Sequence, residues 1–513
     1  MKLNMESMEM DVDGTTAMDL ATMRRSADTA CRLMKALSNP DRLLLLCQLT
    51  EGEKRVGELE ALVGIGQPTL SQQLGVLREE GLVSTRREGK NIYYQIASPQ
   101  ALAVLSLASS IYISIYVALN GLMQALLPAW AELHGGNRHA EIGRSVRQAL
   151  YISAGAAALG ITGLWFPDPW LSWTQVPTEL WPDVRAYLRV LALALVPSLL
   201  FRMYSTLNQS LGYPRLVTWL QAGALLVKIP LSVLLTFGAG DVPGMGVVGC
   251  AWATLAVNSL MLLTGLWLLR TQDIYRPYRL WRLPERPQWS VLQHFLRLGV
   301  PAGLSIMVEV TSFTLMALFI ARLGAVASAS HQIAASLASV LYMVPLALGI
   351  ASSARTGYWL GAQQAGKARR ATYLGLGLTV GAALVCAGAL LAGREAIAHA
   401  FTTDPVVAQT ATVWLGWVAL YHLADAVQAT SVFLLRCYRI TVAPLVIYTA
   451  LLWGAGLMGG YLWAYQDSAL GLSWTPRPSV DTFWITSTMA LATVSVLFGG
   501  LVWRVARAPH RPM

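Results

Sequence analysis

The sequence predicts an all-α polytopic membrane protein with about 11 transmembrane segments and a small winged helix-turn-helix domain at its N-terminus. The first observation is composition: of 513 residues, 55% are hydrophobic and 13% are charged, whereas about 25% of a soluble domain is charged. The second is a break in charge, because residues 1–100 hold 12 basic and 14 acidic residues and the rest holds 26 and 14. A single soluble core is therefore excluded.

The five cysteines are scattered along the chain, and none forms a CxxC pair. Their number and spacing argue against a metal cluster or a disulfide framework. We therefore expect no metal-ligand set and no cofactor. The formal net charge of +10 arises in the membrane part, so it does not by itself indicate nucleic-acid binding.

The first 100 residues have the pattern of a helix-turn-helix with a wing. Ser38-Asn39-Pro40-Asp41 caps a helix that continues as RLLLLCQL, and VGELEALVG predicts a second, short helix. After a turn at Gly64–Gly66, residues 67–77 predict a third helix with buried leucines. Two alternating runs around Glu88-Gly89-Lys90 predict a β-hairpin. This order is typical of a winged-helix DNA-binding domain.

The exposed face of the third helix carries polar side chains that suit base edges and phosphates. They are Gln67, Thr69, Ser71, Gln72 and Gln73. Arg86, Arg87 and Lys90 lie near the hairpin tip and can contact the DNA backbone. The alternative for these three residues is a solvated hairpin tip without a ligand.

The run from LSNPDRLLLLCQL to GKNIYYQI resembles the ArsR family of small dimeric repressors, over residues 20–97. It is most similar to the biofilm and sulfide-responsive branch, in which a cysteine of the LxxxCxL helix pairs with one in a C-terminal dimer helix. Cys47 matches the first cysteine, so the resemblance implies a thiol sensor there, but the second cysteine has no counterpart. The alternative for Cys47 is a small buried core residue.

Eleven apolar segments of about 20 residues or more follow, each long enough to span a bilayer. They cover residues 102–130, 147–166, 184–210, 216–238, 245–269, 297–321, 325–354, 371–393, 406–435, 442–465 and 482–503.

An internal repeat divides this part of the chain into a first copy (residues 101–292) and a second copy (residues 293–513). SLASSIY at 106–112 recurs as SLASVLY at 336–342, and LHGGNRHAEIGRSVRQAL at 133–150 recurs loosely as WLGAQQAGKARRATYLGL at 359–376. Repeats of this kind place a substrate site between them near mid-membrane. The offset puts the start of the first copy inside the winged helix, so its opening helix is expected to be missing.

The run FLRLGVPAGLSIMVEVTSF and the segments AxHQI (329–333) and YHLADAVQ (421–428) resemble NorM-type MATE multidrug efflux transporters, a likeness that spans residues 106–505. The resemblance implies a two-lobed antiporter, not an enzyme. Such a protein expels organic cations, including cationic drugs or dyes, in exchange for Na⁺ or H⁺.

Charged residues inside apolar segments are costly, by about 2.5–3.5 kcal/mol each on insertion scales, and are therefore functional candidates. Glu309 and Asp425 lie well inside two segments, and the resemblance assigns the cation site of the second copy to both. Two carboxylates that face one cavity can share a proton or hold Na⁺. Tyr421 and Tyr342 match aromatic positions of that site, and plain packing is the alternative for each tyrosine.

Lys228 is the unusual intramembrane cation of the first copy, because the NorM-type pattern has asparagine at that position. It could repel a cationic substrate or pair with an acid, and snorkelling toward a lipid headgroup is the alternative. The acid that the family carries on its first helix cannot be assigned to this chain.

Loop charge predicts the orientation in a bacterial inner (plasma) membrane. Basic residues follow alternate segments, including Arg138, Arg144 and Arg147 after the first and Arg436 and Arg439 after the ninth. These loops, the C-terminus and the N-terminal domain are all expected to be cytoplasmic. The segment 102–130 then cannot cross the membrane once. As the least apolar segment, it is expected to lie re-entrant or interfacial, with weakened efflux as the result. The alternatives are that the whole transporter inverts or that the winged helix crosses to the periplasm.

Three functions are compatible with these features. The first is ion-coupled cation efflux with a fused ArsR-type regulator that contacts operator DNA when dimerised. The second is a membrane-tethered transcriptional repressor. The third is a non-functional fusion of neighbouring regulator and transporter genes, which sequencing of codons 95–110 in independent isolates tests.

Overall fold

The computed structural model describes residues 39–50, 53–79, 82–88, 91–96, 99–173, 178–239, 242–402, 404–465 and 481–508, and these are mostly helical. They divide into two compact units. One comprises the described parts of Met1–Ser109, Trp165–Ala194 and Ala222–Asn258, and the other those of Ser110–Leu164, Leu195–Gln221 and Ser259–Met513.

The described part of the first 100 residues has the predicted helices and hairpin. Its elements are α1 (Pro40–Thr50), β1 (Lys54–Arg55), α2 (Val56–Val63), α3 (Gln67–Glu79), β2 (Val83–Glu88) and β3 (Asn91–Ile96). The strands form an antiparallel sheet in the order β1-β3-β2, with Arg86 opposite Tyr93. The helix-turn-helix with a wing is therefore confirmed.

Local sequence explains the ends of these elements. The side chain of Asn39 accepts hydrogen bonds from the backbone N–H groups of Asp41 and Arg42, which caps α1. Gly64 has φ +70°, a left-handed conformation that ends α2 and favours glycine. The core beneath the helices is formed by eight aliphatic side chains: Leu45, Leu49, Leu59, Val63, Leu70, Leu74, Leu77 and Val83.

Long helices form most of both copies of the repeat. The first copy contains α4 (Pro99–Gln124), α5 (Leu127–Gly135), α6 (His139–Trp165), α7 (Asp168–Trp173), α8 (Trp181–Ser210), α9 (Pro214–Phe237) and α10 (Val247–Thr271). The second copy contains α11 (Trp289–Ala321), α12 (Ala325–Gly361), α13 (Ala365–Phe401), α14 (Pro405–Cys437), α15 (Val442–Tyr448), α16 (Gly459–Tyr465) and α17 (Asp481–Arg507). A π-helical stretch, Thr449–Met458, joins α15 to α16.

By length and composition, 10 helical segments of the described chain can cross a membrane. The prediction that residues 102–130 are the least apolar segment is wrong. Leu107–Gly135 belongs to the ten and is more apolar than Pro405–Cys437. The segment predicted at 147–166 forms α6, which is not among the ten, because its polar N-terminal turns and its glycine and serine residues lower its mean hydropathy.

A reciprocal contact between α5 and α12 follows the predicted repeat. A Cβ atom on Gly135 would lie 1.8 Å from the carbonyl oxygen of Tyr358, and a Cβ atom on Gly361 would lie 1.7 Å from that of Glu132. The alignment of 133–150 with 359–376 relates Glu132 to Tyr358 and Gly135 to Gly361. The two copies therefore contribute the same kind of contact to each other.

The connection between the copies is tied to α6 by Arg147. Its guanidinium forms a bidentate ion pair with Glu285 and donates to the carbonyl oxygen of Arg279. Gln148 and Tyr151 donate to the Glu285 carbonyl. Arg147 was predicted to be a loop cation; it is instead buried in a helix, because a carboxylate far along the chain compensates its charge.

Candidate functional site

The carboxylates of the second copy meet between α11 and α14. Glu309 lies well inside α11, and Tyr421, Asp425 and Gln428 occupy positions i, i+4 and i+7 of α14. Residues with this spacing share one helical face. Asp425 and Gln428 are buried, at 4% and 0% exposure.

Gln428 joins the two carboxylates. Its side-chain Nε2 donates to Glu309 Oε1 at 3.0 Å and to Asp425 Oδ1 at 2.8 Å. Its Oε1 accepts a hydrogen bond from the hydroxyl of Tyr448 on α15. The amide is thereby held with its nitrogen toward the acids, and one neutral side chain positions both.

The predicted tyrosines lie beside this pair. Both Tyr342 on α12 and Tyr421 on α14 interact electrostatically with Glu309 and Asp425. The structure thus brings together four of the five predicted transport residues. Tyr421 also packs against Phe313 and Trp484, with ring centroids 6.3 Å and 5.8 Å away.

Arg436 is a charged neighbour that the sequence-based assignment placed in a loop. It lies in the last turn of α14, is 4% exposed, and stacks over the ring of Phe433 at 4.6 Å. It interacts electrostatically with Glu309. Its Nε and Nη1 atoms have no hydrogen-bond partner in the described chain. The prediction that Arg436 lies in a loop after the ninth segment is wrong, because α14 continues past it to Cys437.

The arrangement has a defined chemical capacity. Two carboxylates, of which Asp425 is buried and Glu309 is half-buried, share one donor, and a charge held away from water is costly unless a partner compensates it. One proton or one cation between the acids reduces this cost. Glu309 and Asp425 are therefore suited to bind a proton or another cation and to release it again.

Two long helices of the first copy each carry a cation, Lys228 and Arg202. Lys228 lies on α9 and makes no ion pair within the described residues. Arg202 lies on α8, and its buried Nε lacks a partner in the part of the chain that is described. Arg202 interacts electrostatically with Tyr116 of α4.

The predicted DNA-reading face is present on α3. Gln67, Thr69, Ser71 and Gln72 are exposed. Gln73 differs from the prediction, because it is half-buried and its Oε1 accepts a hydrogen bond from Arg42 at 3.0 Å. Gln73 therefore fixes α3 against α1 rather than facing outward.

Acidic side chains partly neutralise the basic charge of the described part of the wing. Arg86 donates to Glu53 and Glu88 at 2.9 Å each and lies over the ring of Tyr93. These hydrogen bonds raise the pKa of the Arg86 guanidinium and occupy its donors. Arg87 is exposed. Lys90 and the side chain of Cys47 lie outside the described residues.

A family model described as MatE matches the chain twice, over residues 91–234 and 301–462. The two matches cover more than half of the sequence. The chain belongs to the MatE family. It is therefore of a transporter family and is not an enzyme. A second model, "Bacterial regulatory protein, arsR family", matches residues 39–85.

The relatives match most of this chain and most of their own length. The "Probable multidrug resistance protein NorM" of Aromatoleum aromaticum is 37% identical over 409 residues, which cover 80% of this chain and 88% of that protein. The "Multidrug resistance protein PmpM" of Pseudomonas aeruginosa is 30% identical over 466 residues, 90% of this chain and 94% of PmpM.

Solved MATE structures share the fold. A structure of "MATE in the straight conformation" has a TM-score of 0.70 at 15% identity, covering 80% of this chain and 90% of its own. The "eukaryotic MATE transporter AtDTX14" has a TM-score of 0.67 at 18% identity, covering 95% and 98%. At these identities the likeness concerns the fold alone.

Within the MatE region, sequence reasoning missed Gln428, Tyr448 and Arg436. The sequence does indicate Gln428, because it lies seven residues after Tyr421 and therefore on the same helical face. No feature of the sequence indicates Tyr448 or Arg436, since their roles depend on contacts with other helices.

Proposed function

We propose that the chain is a multidrug efflux transporter of the bacterial inner membrane that exchanges cationic drugs or dyes for Na⁺ or H⁺. The observation that carries the proposal is the Gln428-bridged pair of Glu309 and Asp425. The names of the relatives, multidrug resistance proteins, support the same substrate class. No cofactor takes part.

Antiport follows from competition for one pair of charges. Either the coupling ion or an organic cation compensates the charge of the two carboxylates. Binding of one cation therefore lowers the affinity of the site for the other. Glu309 and Asp425 bind the positive charge, Gln428 keeps them adjacent, and Tyr421 and Tyr342 offer aromatic faces to an organic cation.

Neutral variants of the acids test this proposal. We expect Glu309→Gln and Asp425→Asn each to abolish ion-driven dye efflux from proteoliposomes while the protein still inserts. The matched control is Asp404→Asn, the same change on the same helix. Asp404 caps α14 by accepting from Val406 and Val407, and asparagine caps equally well. Full efflux by the Glu309→Gln/Asp425→Asn double variant contradicts the assignment.

The second candidate function is transcriptional regulation from the membrane, and the exposed face of α3 with the arsR match favours it. We propose that α3 enters the major groove of an inverted repeat and that Arg87 contacts phosphate. Operator binding requires two copies of the chain, because winged helices of this type read half-sites as dimers.

Selection of random DNA by the full chain in detergent tests the second function. Wild type should enrich an inverted repeat, and Thr69→Ala with Gln72→Ala should lose about tenfold or more in affinity, because direct base contacts are removed. Leu62→Ala, on the exposed side of α2, should not change it. Enrichment that survives the double variant means that another surface reads DNA.

We also propose that the winged helix stands in place of the opening helix of the first copy, and that both termini are cytoplasmic. Supporting this, the MatE match to the first copy is shorter than the match to the second. In addition, α4 carries SLASSIY, whose counterpart SLASVLY lies on the second long helix, α12, of its own copy.

A further inference from the structure

A groove of about 430 Å³ lies between α12 and α13 of the second copy. Its floor is narrow, because a Cβ atom on Gly375 would lie 2.2 Å from Ser352 Oγ. Leu374 and Leu378 form part of one wall and are 55% and 64% exposed. This end of the groove is apolar and open to the surroundings of the helices.

The other end of the groove is basic. Arg355, Lys367 and Arg370 line it, all three exposed, and none pairs with a carboxylate of the described chain. Trp359 lies among them, with the Arg355 guanidinium 4.9 Å and the Lys367 ammonium 4.6 Å from its ring. Three cations therefore line one groove whose lining contains no acidic side chain, an arrangement that favours an anion.

Helix direction strengthens the case for an anion. Lys367 and Arg370 lie near the N-terminus of α13, and its first turn has no acidic residue. The N-terminal end of a helix carries a partial positive charge, so cations there are unfavourable and anions are favourable. A phosphate group would offset both the charge of the cations and the dipole.

We propose that this groove binds an anionic diacyl phospholipid, with its phosphate among Arg355, Lys367 and Arg370 and an acyl chain along Leu374 and Leu378. The apolar wall favours a lipid over free phosphate, which would leave those leucines without a partner. The indole of Trp359 suits the level of lipid headgroups. Loop charge predicts that this end of the helices faces the cytoplasm, where anionic lipids attract basic residues. The site lies outside the carboxylate pair and is independent of the proposed efflux.

Native mass spectrometry of the purified full chain, titrated with phosphatidylglycerol and with phosphatidylcholine of the same acyl chains, tests the site. Wild type should bind its first phosphatidylglycerol at least about tenfold more tightly than phosphatidylcholine. Arg355→Gln/Lys367→Gln/Arg370→Gln should lose that preference. The matched control, Arg215→Gln/Arg504→Gln/Arg507→Gln, removes three exposed cations elsewhere and should keep it.

Two further measurements distinguish binding of the whole lipid from binding of its headgroup alone. Leu374→Ser/Leu378→Ser should weaken phosphatidylglycerol binding several-fold without a change in charge, and glycerophosphoglycerol, which has no acyl chains, should not bind measurably. Equal loss in the control variant, an unchanged preference in the groove variant, or headgroup binding as tight as lipid binding would each overturn the proposal. Circular dichroism and gel filtration confirm that the variants are folded, and no transport measurement is needed.

Discussion

The two copies of the repeat place an arginine at the same point of equivalent helices but surround it differently. LLFRMY at 199–204 in α8 aligns with FLLRCY at 433–438, at the C-terminal end of α14, which relates Arg202 to Arg436. Arg436 has Glu309 within electrostatic range. Arg202 has Tyr116, and no carboxylate of the described chain interacts with it.

The difference is explained by the helix that supplies the acid. Glu309 lies on α11, the opening helix of the second copy, and the counterpart of α11 is the helix that we propose is missing from the first. On that proposal, the first copy keeps Arg202 without the acid that its opening helix would carry. Of the two copies, the second is the one whose described helices hold acids deep within a span.

Apart from the two carboxylates themselves, the largest effect is expected at Gln428, which joins them in the second copy. Gln428→Ala removes the donor shared by Glu309 and Asp425, so ion-driven dye efflux should fall at least about tenfold. Gln209→Ala, on α8 of the first copy, is the control and should change efflux less than about twofold. Initial rates in proteoliposomes measure both. Comparable losses from the two variants contradict the assignment of coupling to the second copy.

An intermediate effect is expected from the two related arginines. Arg436→Gln deprives Glu309 of a cationic neighbour and should lower efflux several-fold, whereas Arg202→Gln should lower it by less than about twofold. Arg436→Lys, which keeps the charge, should recover part of the rate. If Arg202→Gln lowers efflux as much as Arg436→Gln does, both copies contribute to efflux, and the different surroundings of the two arginines have no effect on transport.

The smallest effect concerns stability rather than efflux. The ion pair of Arg147 with Glu285 lowers the pKa of Glu285 from 4.5 to about 2. A lowered carboxyl pKa stabilises the fold above about pH 4.5, and this contribution disappears as the pH falls toward 2. Glu285→Gln should cost about 1–2 kcal/mol at pH 7, less than a fully buried pair, because Glu285 is 35% exposed.

Thermal unfolding of the detergent-solubilised protein measures this cost. The difference between wild type and Glu285→Gln should shrink as the pH falls below 4.5. Glu141→Gln, which alters an exposed and longer ion pair with Arg138, should leave the unfolding temperature almost unchanged. A difference that persists at pH 2 means that Glu285 acts by packing and not by charge.

The acids of the site could be predicted because charge inside an apolar run is costly and therefore visible in the sequence. Glu309 and Asp425 were found in this way. Gln428 and Tyr448 are neutral and polar, carry no such cost, and acquire their role through contacts between helices. The wing could be predicted from its alternation, but the ion pair of Arg86 with Glu53 joins residues 33 positions apart in sequence.

Helix ends were the less predictable part of the fold. Arg147 and Arg436 stand next to apolar segments, so composition places them in loops, yet both belong to helices and are buried. Their charges are compensated by Glu285 and by the neighbourhood of Glu309, which only tertiary structure brings near. The same limit affected the second apolar segment, where polar residues in the first turns and scattered glycines made α6 less apolar than its length suggested.

The reciprocal glycines of α5 and α12 set how closely these two helices approach. At Gly135 and Gly361 there is no room for a methyl group, because a Cβ atom at either position would overlap a backbone carbonyl of the other helix. Alanine at either position would therefore force the two backbones apart. Since each copy of the repeat supplies one of the two glycines, neither copy can exchange its glycine for a larger residue without disturbing the packing of the other copy.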